Sequence, residues 1–306
     1  MTARRIVSLV LVLCLLAGSL VVTILDAFRP ETLTWKRVFG FFGLGSVSDI
    51  EAPLKVHVLD VGKADCIVIE CEDKVVLIDS GYYDFSDQIL NYLRHLGVDG
   101  IDLAVLTHPH SDHVGSMAKL IAAFPTDRLL LSLPPDDLTG YADSYATLLT
   151  LSAQAQIEIL HPAVDDSFEL GALYFYVLSP SQRVKNENDN SIVLRMEYGD
   201  VSFLFMGDAE EPVEKELCAT FPDLRADVIK IGHHGSATST SDELLDAVLP
   251  RYAVISVGED ANNLPKESVL ERLRRRNIEC LRTDFDGTCI FTSDGEKIEV
   301  KTEEGN

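Results

Sequence analysis

From Leu54 onward, short apolar runs alternate with polar turns, and the rhythm of each run names its element. KVHVLDV, CIVIE and KVVLID read as strands separated by GKAD and EDK turns. Ser86 to Leu96 reads as a helix, IDLAVLT as an apolar strand, and His113 to Ala123 as the helix after it. RLLLSL is strand-like and Tyr141 to Ser152 helical. Strands follow near Ile157–Leu160, Leu173–Leu178, Ser191–Tyr198 and Val201–Met206, the last two joined through Tyr198, Gly199 and Asp200. A helix Glu211–Phe221, a strand Asp227–Ile231, a helix Asp242–Leu249, a strand Tyr252–Val257 and a helix Glu267–Arg276 precede three short closing strands. Hairpins mix with strand–helix units in two successive halves. That mixture predicts two packed sheets with helices outside, a four-layer α/β/β/α sandwich.

Upstream the pattern changes. Ile6 to Leu25 holds 20 residues without a charge, preceded by Arg4 and Arg5. A helix of that length spans roughly 30 Å, one hydrocarbon core. The run continues past the small residues Ala17, Gly18 and Ser19 through Val21, Val22 and Leu25, as a retained single-pass transmembrane anchor does. A cleaved signal peptide is the alternative. Either reading places the following domain outside the cytoplasmic membrane, with the membrane as a partner through residues 6–25. The expected order is a cytoplasmic tip (1–5), the anchor or signal (6–25), a linker (26–52), the folded domain (53–301) and a tail (302–306).

Composition sharpens this. The 306 residues are 46% hydrophobic and 25% charged, which excludes both a disordered chain and a polytopic membrane protein. Net charge is −23, and it is uneven. Arg4, Arg5 and Arg29 against Asp26 make the first thirty residues net +2, so the remainder carries −25. Tight nucleic-acid binding is led by basic residues against phosphate, so no strong binding of that kind is expected here. Arg272, Arg274, Arg275 and Arg276 form the one basic cluster and read as a solvated helix end. The cysteines downstream of the apolar run, Cys66, Cys71, Cys218, Cys280 and Cys289, show no CxxC pair and read as small buried hydrophobes.

The chemistry gathers in three loops, each after an apolar strand. Thr107 to Gly115 reads THPHSDHVG, with His108, His110, Asp112 and His113 within six residues. Side chains two apart in an extended turn point the same way, so one loop can serve two metals. Phe205-Met206-Gly207-Asp208 delivers a carboxylate, whose two oxygens suit it to bridge two cations. Gly232-His233-His234-Gly235-Ser236 offers tandem histidines, able to bind metal or to give a proton to a leaving group.

THPHSDHVG, MGD, IGHHGS, LDVGKAD and NENDNSIVLRMEYGD together resemble the metallo-β-lactamase-fold hydrolases. More narrowly they resemble the branch attached to ComEC, the bacterial DNA-uptake channel, from about Val56 to Thr292. The resemblance implies a binuclear site with one or two divalent ions, zinc or manganese. His108 and His110 would hold one, Asp112 and His113 the other, with Asp208 bridging and Asp79 of LIDSG orienting the metal loop. A metal-activated water would then cleave a phosphodiester, with Asp112 as ligand and proton acceptor and His233 or His234 as proton donor.

Three departures stand out. LDVGKAD replaces the usual LDVGQGD, so Lys63 and Ala64 are unusual. Leu264 occupies the place where related chains carry a second-metal histidine, leaving that ion to Asp112, His113, Asp208 and His233 or His234. No third histidine for the first ion is evident beyond His161, and the branch places Asn188-Asp189-Asn190-Ser191 near it instead. The expectation is one well-held metal and one weaker. The readings to weigh are a phosphodiesterase acting on a small phosphodiester or short oligonucleotide, a non-catalytic metal-stabilised binding module, and an amide or ester hydrolase of the β-lactam type.

Overall fold

Alternation in the first strand sends Leu54, Val56 and Val58 to one face and His57 to the other, and the same division runs through the whole domain. A computed structural model describes residues 17–23, 52–132, 143–259 and 261–303. The chain divides into two compact units, Met1–Ile50 and Glu51–Asn306.

Within the first unit, residues 17–23 are helical. The spanning helix expected over residues 6–25 is corrected by this structure: among the described residues no helix is long and apolar enough to cross a membrane. Seven helical residues rise about 10 Å, a third of a hydrocarbon core. The membrane-anchored, extracytoplasmic localisation expected from that run is corrected with it: no described helix anchors the domain in a membrane. The remainder of the 6–25 segment, and the linker apart from residue 52, lie outside the described residues.

The second unit begins with β1 (Leu54–Val58), β2 (Ile67–Cys71), β3 (Lys74–Ile78), β4 (Ile101–Leu106), β5 (Thr126–Leu131) and β6 (Glu158–Leu160). Next come β7 (Ser167–Leu170), β8 (Leu173–Ser179), β9 (Val193–Tyr198), β10 (Val201–Phe205), β11 (Val228–Lys230), β12 (Tyr252–Ile255) and β13 (Glu279–Arg282). β14 (Cys289–Ser293) and β15 (Ile298–Thr302) close the chain. Two sheets result, in the orders β15-β14-β1-β2-β3-β4-β5-β6 and β13-β12-β11-β10-β9-β8-β7. β3 to β6 run parallel, as do β10 to β13, while the remaining pairs are antiparallel.

The inner faces of the two sheets share one core, with Val56, Val105, Phe175, Phe203 and Phe291 almost fully buried. Each such side chain contributes roughly 1.5–3 kcal/mol by leaving water. On the outer face of the first sheet, Leu77 and Ala104 meet Ile89, Leu93, Leu120 and Leu148 from the helices Ser86–His95, Met117–Ala123 and Asp143–Ala155. On the outer face of the second, Ile229 and Ala253 meet Leu217, Leu245 and Leu273 from the helices Glu211–Thr220, Asp242–Val248 and Glu267–Arg275. This is the four-layer sandwich that the alternation predicts.

The helix expected over His113–Ala123 is broken into Ser111–Val114 and Met117–Ala123. Gly115 lies at the break and presses on backbone: a Cβ there would come within 2.5 Å of Gly81 O and Tyr83 N. Gly115→Ala is therefore expected to cost about 1–3 kcal/mol by overpacking against atoms that cannot move aside. A lowered urea midpoint with an unchanged m-value would show it.

The arginine cluster is consumed internally. Arg274 pairs with Glu267, Arg275 with Asp242, and Arg276 with Asp242 and Asp246, while Arg272 donates to the carbonyls of Ser239 and Thr240. The five described cysteines are unpaired, and burial raises the thiols of Cys66 and Cys289.

Candidate metal centre

Loops leaving the carboxyl ends of β3, β4, β10, β11 and β12 converge, joined by the β1–β2 turn. Carboxyl ends of parallel strands are where α/β sheets place ligands. Backbone hydrogen bonds stitch the loops together: Ile192 N to Thr107 O, His233 N to Gly207 O, Asp65 N to Asp112 O and Ser80 N to His113 O. Asp79, His233 and His234 all have positive φ (56°, 48° and 51°), a conformation that costs non-glycine residues about 1–2 kcal/mol. Strain of this kind concentrates at functional sites.

Asp112, His113, Asp208 and His234 are all buried, and each offers one ligand atom within 4.8 Å of the others. His113 donates through Nδ1 to Asp79 Oδ2 at 2.7 Å, and His234 through Nδ1 to the Ser256 carbonyl at 2.9 Å. Both rings therefore present Nε2 to the centre. His113 Nε2 lies 3.4 Å from Asp208 Oδ1, while His234 Nε2 lies 3.6 Å from Asp208 Oδ1 and 3.6 Å from Asp112 Oδ2. His113 Nε2, His234 Nε2 and Asp208 Oδ1 have no aligned hydrogen-bond partner. Each such buried atom costs about 1–3 kcal/mol, a debt that a cation settles. Four donors on bonds of about 2.0–2.2 Å in a tetrahedron stand about 3.3–3.6 Å apart, and the three contacts given above fall in that range. The residues present fit a divalent ion, and imidazole with carboxylate suits zinc, iron or manganese alike.

A second, poorer group faces the other oxygen of Asp208. His108 Nε2 lies 3.8 Å from Asp208 Oδ2 and 3.0 Å from His110 Nδ1. Thr107 Oγ1 donates to Asp79 Oδ2, which leaves it to accept from His108 Nδ1 and turns His108 Nε2 toward the centre. Asp208 is thus placed between the two groups, one oxygen toward each.

Electrostatics follow burial and neighbours. Burial, helped by the neighbouring His113, holds His108 well below the ordinary imidazole range, and burial lowers His110 too, so both are neutral and able to ligate. Burial opposes ionisation of Asp112 and Asp208, yet adjacent imidazoles outweigh it and keep both carboxyls below their ordinary range. Burial also works against charge on His113, but Asp208 and Asp79 override it and raise its value.

Other expected residues take supporting places. His161 Nδ1 lies 3.2 Å from the carbonyls of Leu131 and Ser132, outside both groups. Leu264 packs into the outer core of the second sheet. In the NDNS run, Ser191 Oγ accepts from Asp208 N and touches His108 Nδ1, while Asp189 accepts from Glu210 N. The tandem histidines divide: His234 is fully buried within the four-donor group, whereas His233 is 24% exposed and directs Nδ1 to Glu210 Oε1 at 2.9 Å. Asp79 also accepts from Thr107 N, so one carboxylate sets both the loop and the His113 ring. Asp79→Asn keeps the left-handed backbone but loses the charge on His113; metal affinity by calorimetry is expected to fall about 10- to 100-fold.

Three residues escaped the sequence reading. Glu210 has no motif to announce it. Lys230 and Asp65 form a fully buried pair, Nζ to Oδ2 at 2.9 Å, directly behind His234. A lysine inside the apolar run DVIKI is the signal that could have found this pair, since buried lysines are rare unless matched.

A family model described as the metallo-beta-lactamase superfamily matches residues 59–259. The chain belongs to that superfamily. Over 257 residues it is 30% identical to ComE operon protein 3 of Bacillus subtilis, covering 78% of this chain and 33% of that protein. It is 31% identical to competence protein ComA of Neisseria gonorrhoeae, covering 77% and 32%. The chain thus spans about a third of the length of these relatives. Among solved structures, the metallo-beta-lactamase fold protein YhfI of Bacillus subtilis superposes with a TM-score of 0.51 at 13% identity, covering 78% of this chain and 99% of that one. That likeness concerns the fold alone.

Proposed function

We propose that this domain is a metal-dependent phosphodiesterase acting on small phosphodiesters or short oligonucleotides. The observation that carries the reading is the buried quartet of Asp112, His113, Asp208 and His234, whose ligand atoms lie within 4.8 Å of one another and three of which have no hydrogen-bond partner. When bound there, a divalent ion supplies Lewis acidity and a water acidic enough to attack at neutral pH. The chain's own groups do the rest. Asp112 and Asp208 would hold the ion through their carboxylates and balance its charge. Asp79 and the Ser256 carbonyl fix the ring orientations of His113 and His234. His233 is reached by solvent, and Glu210, 2.9 Å from its Nδ1, orients the ring. Its Nε2 carries a proton toward the leaving oxygen, which is general acid catalysis.

The resemblance of its motifs to the branch attached to the DNA-uptake channel favours a nucleic-acid phosphodiester. The net charge of −23 opposes a long strand, because repulsion acts out to a screening length of about 8 Å. The test is to load the purified chain with zinc or manganese and offer bis(p-nitrophenyl) phosphate, a short single-stranded oligonucleotide and nitrocefin. Turnover of the phosphodiesters is the expected result. Turnover of nitrocefin alone, or full loading without turnover of any substrate, rejects the reading.

A further inference from the structure

Lys63, one of the departures in LDVGKAD, does not point to bulk solvent. Its Nζ lies 2.5 Å from Asp112 Oδ2, the same oxygen that faces His234 Nε2. The side chains of Lys63 and Asp112 are 18% and 9% exposed. The backbone fixes this approach. Gly62 turns with φ +72°, Ala64 N bonds to Gly62 O, and Asp65 N bonds to Asp112 O, tying the turn to the metal loop. Gly258 packs against Gly62 and Lys63 from the other side, where a Cβ would come within 2.9 Å of their backbone.

We propose that Lys63 is a built-in counter-cation of the centre, which neutralises Asp112 when no metal is bound and competes with a divalent ion for that carboxylate. Charge at the centre supports this. Asp65 is matched by Lys230, and Asp79 by His113. Asp112 and Asp208 are the carboxylates left to face a cation, and one divalent ion balances both. Lys63 adds a further positive charge, so the first ion must displace the ammonium or bind beside it, and a second ion meets a centre with no net negative charge left. Leu264, which brings no ligand, works in the same direction. The structure therefore points to a centre that holds one exchangeable ion, more weakly than its four donors alone would.

The inference rests on the quartet being a metal site, and the test separates the two ideas. The full chain, stripped by chelator, is titrated with manganese and with zinc by calorimetry, and bound metal is counted after gel filtration. Lys63→Met removes the charge and keeps the length; Lys63→Arg keeps the charge. Lys63→Met is expected to bind the first ion about tenfold more tightly or better, since it removes a cation seated on the Asp112 oxygen that would ligate it, and to bind more metal per chain than the unaltered protein. Lys63→Arg is expected to behave like the unaltered protein. Before metal is added, Lys63→Met should melt lower in one cooperative transition, and metal should raise its Tm further than it raises that of the unaltered chain. Equal affinity and stoichiometry for Lys63→Met and the unaltered chain overturn the role of Lys63 while leaving the metal site intact. Weaker binding by Lys63→Met overturns it too, showing that the lysine supports the ligand. Absence of binding in all three proteins rejects the metal site, and the role of Lys63 with it.

Discussion

Asp208→Ala is expected to empty the centre and to reduce phosphodiester turnover at least about a thousandfold. Asp208 is the one carboxylate whose two oxygens face the two groups, Oδ1 toward His113 and His234 and Oδ2 toward His108. Its loss removes a donor from both and leaves three buried imidazoles with less negative charge to hold an ion among them. Losing a single electrostatic group in an active site already costs about 10²–10³ in rate, and here the Lewis acid is lost as well. Metal counted per chain and initial rates at saturating metal check it. Metal retained with rates within tenfold of the unaltered chain would refute the bridging role.

The tandem histidines should separate in opposite ways. Asparagine is the substitution of choice at both, because it tolerates the left-handed backbone found there. His234→Asn takes an imidazole from the buried quartet and breaks the contact with the Ser256 carbonyl, so metal affinity should fall by two orders of magnitude or more. His233→Asn leaves the quartet whole. It should keep its metal and lose about 10²–10⁴ in kcat, the usual contribution of a positioned acid. Metal titration alongside kcat and KM distinguishes the two. Loss of metal from His233→Asn would show that the exposed ring, not the buried one, is the ligand.

The two-sheet sandwich was legible before any coordinates because binary patterning is a local property. Val56 and Val58 alternate with His57 whatever the partner strand, and the helices announce themselves by their own apolar stripe. The metal loop was legible for a related reason: four ligand-type residues within six positions are delivered by one turn. Other features depended on distance in space. The 6–25 run is apolar enough to span a membrane by composition, yet the described part of it is a helix of seven residues. Leu264 left the second ion to Asp112, His113, Asp208 and one of the tandem histidines, and only the fold decides which of the two joins the buried group. His234 comes from the loop after β11 and meets Asp112 from the loop after β4, some 120 positions earlier in the chain.

By itself, then, the order of residues determined the layers, the edge where chemistry gathers and the residue types gathered there, since these follow from periodicity and residue type. Tertiary structure alone decided how the donors divide. It buried His234 inside the quartet and left His233 24% exposed at its rim, with Nε2 3.9 Å from Asp208 Oδ2, turned the Nε2 of His113 and His234 inward by occupying each Nδ1, and set Lys63 on Asp112. Those outcomes depend on which loops the two sheets bring within 3–4 Å of one another. At that distance a hydrogen bond or a charge outweighs any local preference, and neighbours in sequence such as His233 and His234 are free to face opposite environments.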